Sequence, residues 1–339
     1  MGRYILKRVL QFIPVFLGVT LLLFIMENVV PGDPIQLMAG EKKLDATTEL
    51  NLRISYHLVE VDEDGNALLD ESGNPIETPM WKRYVMYLGG LLQGDLGISY
   101  QRSGQEVSSI LLQKYPYTVK LALVAIVLEA VVGIAAGTIS AVKRYSAWDV
   151  GVTLATSTLV AMPAFWFGML LQLVFGIWLA WLPVSGVGGP VGDFYDWAYY
   201  ILPSITLASV STAYVARIMR SQLLEVLNQD YIRTARAKGL SRKSVIIHHA
   251  LKNALIPVVT YIGLDFGALL SGAILTETVF NWPGVGYETY RAISQRDWPI
   301  VLGAVTVIVV VVMVVNLLVD ISYAALDPRI RLGASDDEA

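Results

Sequence analysis

Three carboxylic acids fall inside or at the edge of stretches that are otherwise apolar: Glu129, Asp265 and Glu277. An ionisable side chain at membrane depth is costly, so each is a functional candidate. Two roles are open to such a group. It can line a wet pathway and attract a cationic group, such as the amine of a solute, or it can bond a Ser or Thr hydroxyl on a neighbouring helix. Both readings stand for Glu129 and for Asp265, which lies between Gly263 and Gly267. Glu277 sits at the outer end of its stretch, where a fold-supporting role competes with a pathway role. Gln172 is neutral and suits a helix–helix hydrogen bond. Catalytic chemistry is poorly served. The chain has no cysteine, so it offers no thiolate metal site, thiol nucleophile or disulfide framework. It has no Gly-x-x-x-x-Gly-Lys-Ser/Thr phosphate loop. His248 and His249 are neighbours in a basic loop and read as part of that loop rather than as metal ligands. Asp62-x-Asp64-Gly65-Asn66 is similar to a calcium loop, but its glycine comes fourth where an EF-hand needs it sixth. A turn is the simpler reading.

The elements that must hold these acids are membrane helices. Of 339 residues 55% are hydrophobic and 16% charged, against about a quarter charged in ordinary soluble chains. Residues 150–192 and 299–319 carry no charged side chain, and about 20 apolar residues suffice for a helix to cross a bilayer. A soluble enzyme and a nucleic-acid binder are both poor fits. Six spans are expected, near 9–27, 118–142, 150–182, 198–217, 256–276 and 299–319. The runs do not alternate, which excludes a barrel. The first span has a basic start (Arg3, Lys7, Arg8) but is longer than a signal-peptide core and lacks a small-residue cleavage site, so a retained anchor is expected. Pro163 is placed to bend the third span.

Charge orients the chain. Arg217, Arg220, Arg233, Arg236, Lys238, Arg242, Lys243 and Lys252 face only Glu225 and Asp230 in one loop, whereas residues 31–116 hold seven basic and thirteen acidic residues. The positive-inside pattern then puts both termini in the cytoplasm. Four regions are expected: an anchor at 1–30, an extracytoplasmic segment at 31–116, a five-helix core at 117–323 and a tail at 324–339. The extracytoplasmic segment should carry a small β-hairpin around 59–74 and an interfacial helix at 81–92 with Trp81, Tyr84 and Tyr87. Within the core, a cytoplasmic loop at 221–255 reads as a helix over 230–239 ending at Gly239, then a second helix capped by Ser241 through 244–251, with Pro257 starting the next span. Ala235 and Ala237 leave room for a second surface to approach, and Arg233, Arg236 and Lys238 supply charge. The loop is therefore either a docking knob for a soluble partner or simply the basic segment that sets topology.

The loop also carries a resemblance. From Glu225 to Pro257, and above all in Asp230-Tyr231-Ile232-Arg233-Thr234-Ala235-Arg236-Ala237-Lys238-Gly239, it resembles the EAA loop of ABC importer permeases. Further segments resemble the B-type permeases of the dipeptide and oligopeptide importers: Lys7-Arg8, Val30-Pro31-Gly32-Asp33-Pro34, Gly94-Asp95-Leu96-Gly97-x-Ser99, Leu275-Thr276-Glu277 through Trp282-Pro283-Gly284, Arg296-Asp297-Trp298-Pro299 and Leu326-Asp327-Pro328-Arg329-Ile330-Arg331. They cover nearly the whole chain in order. Arg233 and Thr234 replace the Glu and first Ala of the general motif, and Lys252 replaces a Pro. Residues 59–78 look like an insertion.

The resemblance implies an all-α polytopic membrane protein with the type I ABC importer transmembrane fold and a small extracytoplasmic α/β insertion. It implies a non-catalytic permease of the prokaryotic inner membrane, paired with a C-type permease and surrounded by lipid. Two cytoplasmic ATPases would bind ATP and magnesium, an external binding protein would deliver peptide, and this chain would hold no cofactor and no nucleic acid. Residues 230–239 would couple to the ATPases. Related permeases carry dipeptides, oligopeptides, nickel chelates or glutathione. An ion-coupled secondary transporter with Glu129 and Asp265 as a relay, or a channel, is the expectation from a different class.

Overall fold

A computed structural model describes residues 2–29, 33–39, 44–102, 104–188, 197–271 and 273–326. The closing helix takes in the first three residues of the expected tail 324–339; the rest of the tail, including all of the string 326–331 except Leu326, lies outside the described residues, as do Val30, Pro31 and Gly32. Helix α1 (Gly2–Val29) is followed by α2 (Pro34–Ala39), α3 (Ala46–Ser55), α4 (Met80–Leu92) and α5 (Val107–Val142). Then come α6 (Ala147–Ala161) and α7 (Ala164–Leu171), which runs on as a π-helical segment, Gln172–Trp178. Next are α8 (Trp197–Val226), α9 (Asp230–Ala237) and α10 (Arg242–Ser244). A second π-helical segment, Val245–Ala250, leads into α11 (Leu251–Leu270). The order ends with α12 (Ile274–Val279), α13 (Val285–Gln295) and α14 (Trp298–Leu326).

Among the described residues, five stretches are long and apolar enough to cross a bilayer: Ile5–Val29, Val107–Val142, Trp197–Val226, Arg242–Leu270 and Trp298–Val319. The remaining expected span is a bent pair, Ala147–Ala161 and Ala164–Trp178, meeting at 107°. The cause is Pro163, which has no N–H and drives the residue before it out of the α region. Met162 is accordingly extended, at φ −94° and ψ 135°. Pro257 behaves differently from expectation. It lies inside α11, and the spanning stretch begins back at Arg242, so the expected second loop helix is the first part of the span itself. The helix continues past Pro257 because Ala254 and Val258 on either side of it are fully buried. At its outer end it stops at Leu270, short of the expected 276.

The chain forms two compact units. In the first, residues Tyr115–Tyr287 supply a core in which α5, α8 and α11 pack through Ala122, Ala125, Ala208, Leu269 and Leu270. α5 approaches α8 closely at Gly133 and Gly137. A Cβ on Gly133 would lie 2.6 Å from Val215 Cγ1, and one on Gly137 would lie 2.7 Å from Met219 Cβ. This is the small-x-x-x-small contact of membrane helices, and it admits no larger residue.

The second unit comprises Val9–Lys114 and Glu288–Val309. Asp297, 1% exposed, accepts hydrogen bonds from Ser99 Oγ at 2.5 Å and Tyr100 N at 3.0 Å. Two of the family-like strings therefore meet at one carboxylate. Glu288 is likewise buried and pairs with Arg102. The expected hairpin is replaced by three isolated antiparallel bridges, Val59↔Glu77, Val61↔Ala67 and Leu69↔Pro75. Turns eight residues apart leave too little chain for a continuous ladder. Asp62 Oδ1 accepts from the N–H groups of Asp64 and Asn66 at 3.0 and 2.8 Å. Asp70 Oδ1 repeats this with Ser72 and Asn74, both at 2.8 Å. Those donors, that of Asn66 or Asn74 foremost, hold both carboxyls below the usual range. The calcium-like string is thus a pair of self-bonded turns closed by Gly65 and Gly73.

Candidate functional site

All candidate residues fall within the first unit. On its basic loop, α9 is amphipathic: Ile232 is fully buried and Ala235 is 6% exposed. They pack with Leu223 of α8, Val245 and Ala250 of the π-helical segment and Ala254 of α11. Asp230, Tyr231, Arg233, Thr234, Arg236, Ala237, Lys238 and Gly239 remain exposed. Ala235 corrects the expectation that it leaves room for a second surface. Its small side chain lets α9 lie close to its own core, because the helix turns it onto the same face as Ile232. Tyr231 Oη accepts from Asn253 Nδ2 at 2.8 Å, tying the loop to α11. Gly239 ends the helix at φ +80° with its N–H on the Arg236 carbonyl at 2.9 Å, the left-handed cap expected of it. Ser241 Oγ accepts from Ser244 N at 3.3 Å.

Within the membrane, the structure brings Glu129 of α5 and Asp265 of α11 side by side. Glu129 is 0% exposed, and neither of its carboxyl oxygens has a hydrogen-bond partner; Asp265 Oδ2 has none either. The two carboxyls are within hydrogen-bond reach of each other, so a proton on either can bridge them. Tyr261 of α11 stands beside both acids and beside Ser211 of α8, with the Tyr214 ring tilted against it at a centroid distance of 6.1 Å. The Ser or Thr bond that would have made either acid structural is missing for Glu129.

Glu277 is built differently. It is fully buried at the start of α12, accepting from Thr118 Oγ1 at 2.7 Å and from Tyr287 N at 2.9 Å. Thr118 Oγ1 in turn accepts from Val285 N at 2.9 Å. A Cβ on Gly284 would come within 2.5 Å of a Glu277 oxygen, and one on Gly286 within 2.9 Å. Burial pushes the Glu277 carboxyl up to about 7, against the pull of the Thr118 and Tyr287 donors. Glu277 holds the 274–287 turn together through these bonds. Gln172 donates to the Val184 and Val279 carbonyls at 2.8 and 3.0 Å, a tertiary bond of the kind expected.

Sequence reasoning passed over one network. Asp149, 5% exposed at the start of α6, accepts from Arg220 Nε at 2.8 Å, Ser140 Oγ at 2.5 Å and Tyr145 N at 2.9 Å. The available signal was an acid three residues after Ser146 at the head of an uncharged run. It locks the turn between α5 and α6 onto α8, at the end of the bundle that carries α9.

Comparison with known proteins agrees with this architecture. Residues 133–332 match the family described as binding-protein-dependent transport system inner membrane component. The dipeptide transport system permease protein DppB of Escherichia coli K12 is 40% identical, over 98% of this chain and 99% of that protein. The oligopeptide transport system permease protein AppB of Bacillus subtilis is 37% identical, over 98% and 100%. A solved structure of the MetNI methionine ABC transporter, in inward-facing conformations, superposes with a TM-score of 0.51 at 15% identity, covering 64% of this chain and 96% of that one. That likeness supports the fold. An ion-coupled secondary transporter is not favoured by these relatives, and the chain is a multi-pass membrane permease. It belongs to the binding-protein-dependent inner-membrane transport components, in the branch of the dipeptide and oligopeptide permeases.

Proposed function

We propose that this chain is one of two permease subunits forming the pathway of an ATP-driven importer of di- or oligopeptides. Its partners are a C-type permease, two cytoplasmic ATPases that bind ATP and magnesium, and an external substrate-binding protein. Both termini lie in the cytoplasm, and the chain itself catalyses nothing. The observation that carries this reading is α9: an eight-residue helix anchored by Ile232 and Ala235, with its charged face exposed, joined by the turn 238–241 to the spanning stretch Arg242–Leu270 and packed on its first residues Val245, Ala250 and Ala254. A push on α9 is thereby delivered to α11, as alternating access requires. On this reading Glu129 and Asp265 line the pathway, where the ammonium of a peptide would bind a pair of acids whose buried oxygens, both of Glu129 and one of Asp265, have no donor in the fold.

The test is uptake of a labelled dipeptide into proteoliposomes holding the complete transporter. Uptake should require ATP and the binding protein, and Glu129→Gln should raise the KM for peptides with a free amine more than for N-acetylated ones. Uptake driven by a proton gradient without ATP would overturn the reading. An unchanged discrimination by Glu129→Gln would remove the carboxyl pair from the pathway and leave the coupling role standing.

A further inference from the structure

At the end of the bundle that carries the basic loop, a groove of about 570 Å³ opens between the last turn of α5, the start of α6 and the start of the Arg242–Leu270 stretch. Its floor is apolar, from Ile139, Val142, Ile246 and Ile247. Its rim carries three cations: Lys143 from the turn after α5, and Arg242 and Lys243 from the head of α10. None of the three has an acidic partner among the described residues; the nearby acid, Asp149, is taken by Arg220. Trp148 stands on the same rim, 61% exposed, with Lys143 Nζ 4.9 Å from its ring centre. Arg242 keeps one donor on the Val142 carbonyl at 3.0 Å, which fixes its head over the floor.

We propose that this groove binds one anionic phospholipid, with its phosphate between Lys143, Arg242 and Lys243 and an acyl chain along the isoleucine floor. Topology alone asks for basic residues on one side of the membrane, and any position in the loop satisfies it. It does not ask that cations from two distant segments converge on a single apolar hollow. The floor residues belong to α5 and to the Arg242–Leu270 stretch, both long and apolar enough to cross a bilayer. The rim tryptophan sits where indoles gather, at the headgroup level. Basic pockets between spanning helices are the usual sites for such headgroups. A peptide or nucleotide phosphate would satisfy the cations and leave the apolar floor against water.

The test uses the complete transporter, purified with its partner subunits, incubated with dioleoyl phosphatidylglycerol or phosphatidylcholine and read by native mass spectrometry. Wild type should retain one phosphatidylglycerol and no phosphatidylcholine at the same dilution. The K143Q/R242Q/K243Q variant should hold it about 100-fold more weakly, each basic residue near an anionic surface being worth a factor of about five. A K143R/K243R variant should retain it. Ile247→Asp, a change at a half-exposed floor position, should lose it with all three cations in place, which separates lipid loss from misfolding of the triple variant. Excess inorganic phosphate should not displace the lipid. Equal retention by the triple variant, equal retention of phosphatidylcholine, or displacement by phosphate alone would overturn the proposal. So would protection of Lys143 from amine labelling by the bound ATPases, because the groove would then be a protein contact.

Discussion

Replacing Ile232 tests whether α9 transmits force or merely decorates the loop. α9 has eight residues, too few for a helix to persist in water without tertiary packing. Only Ile232 and Ala235 are buried, so the isoleucine is its main anchor. Ile→Ala in a fully packed site costs about 2–5 kcal/mol, and Ile→Val about 0.5–1.5 kcal/mol. As equilibrium constants these are roughly 30-fold to several-thousand-fold for alanine and roughly 2- to 12-fold for valine. The alanine loss falls on docking of α9 rather than on the spans, because the cavity lies at the loop end of the core, among Leu223, Val245 and Ala250. Ile232→Ala should therefore insert normally and bind its partner permease. Amide exchange over residues 230–239 should rise by at least an order of magnitude, and transported peptide per ATP hydrolysed should fall steeply. Ile232→Val should sit close to wild type in both. Protection of α9 unchanged in Ile232→Ala would refute the anchoring argument. Full exchange with unchanged coupling would refute the claim that a docked, rigid α9 is the transmitter.

Three further outcomes follow from the geometry. An added Cβ at Gly239 meets nothing within 4 Å, so Gly239→Val should cost only the left-handed backbone penalty, about 1–2 kcal/mol; it should lower coupling measurably while Gly239→Asn leaves it near wild type. At Gly133 the same carbon would strike Val215, so Gly133→Leu should destabilise the purified chain by about 1–3 kcal/mol in thermal melting, whereas Gly151→Leu, facing open space, should be neutral. Glu277 binds its proton more tightly folded than unfolded, because burial raises its carboxyl from 4.5 to about 7. The contribution is therefore fully present below pH 4.5, is lost as pH rises towards 7, and amounts to about 3 kcal/mol at most; melting temperatures of wild type should fall across that window relative to those of Glu277→Gln, and parallel profiles would contradict the assignment.

Local features of the chain were readable where one residue dictates its own backbone. Pro163 breaks the third span, Gly239 caps α9, and uncharged runs become helices, because each outcome follows from a missing N–H, a missing Cβ or a missing hydration partner. Contacts between distant segments were not readable in this way. Glu129 and Asp265 are on different helices, and no local pattern says that α5 and α11 turn these faces to each other. Gly133 and Gly137 carried a four-residue spacing in plain view, but only the approach of Val215 and Met219 shows which helix it serves. Pro257 misled because its effect depends on packing: with Ala254 and Val258 buried around it, the helix persists through a residue that would end it in isolation. The inward turn of Ala235 is of the same kind, since exposure of one face of an amphipathic helix is settled by what lies beneath it.

The charges in the first unit separate by whether the fold answers them. Asp149 has Arg220, Ser140 and the Tyr145 N–H. Glu277 has Thr118 and the Tyr287 N–H. Removing one member of such a set leaves its partner buried and unpaired, which is why these acids behave as structural locks. Glu129 is as deeply buried as either and has no such set. Beside it stands Asp265, close enough for one proton to bridge the two carboxyls. On the opposite count, Lys143 and Lys243 have no acidic partner among the described residues, and Arg233 pairs with an exposed neighbour, Asp230, at 3.3 Å. The acid pair thus lies in the bundle interior, and the exposed cations lie on the loop and groove. Under the proposed function, a cationic solute inside and acidic protein or lipid surfaces at the basic end are the complements of this distribution.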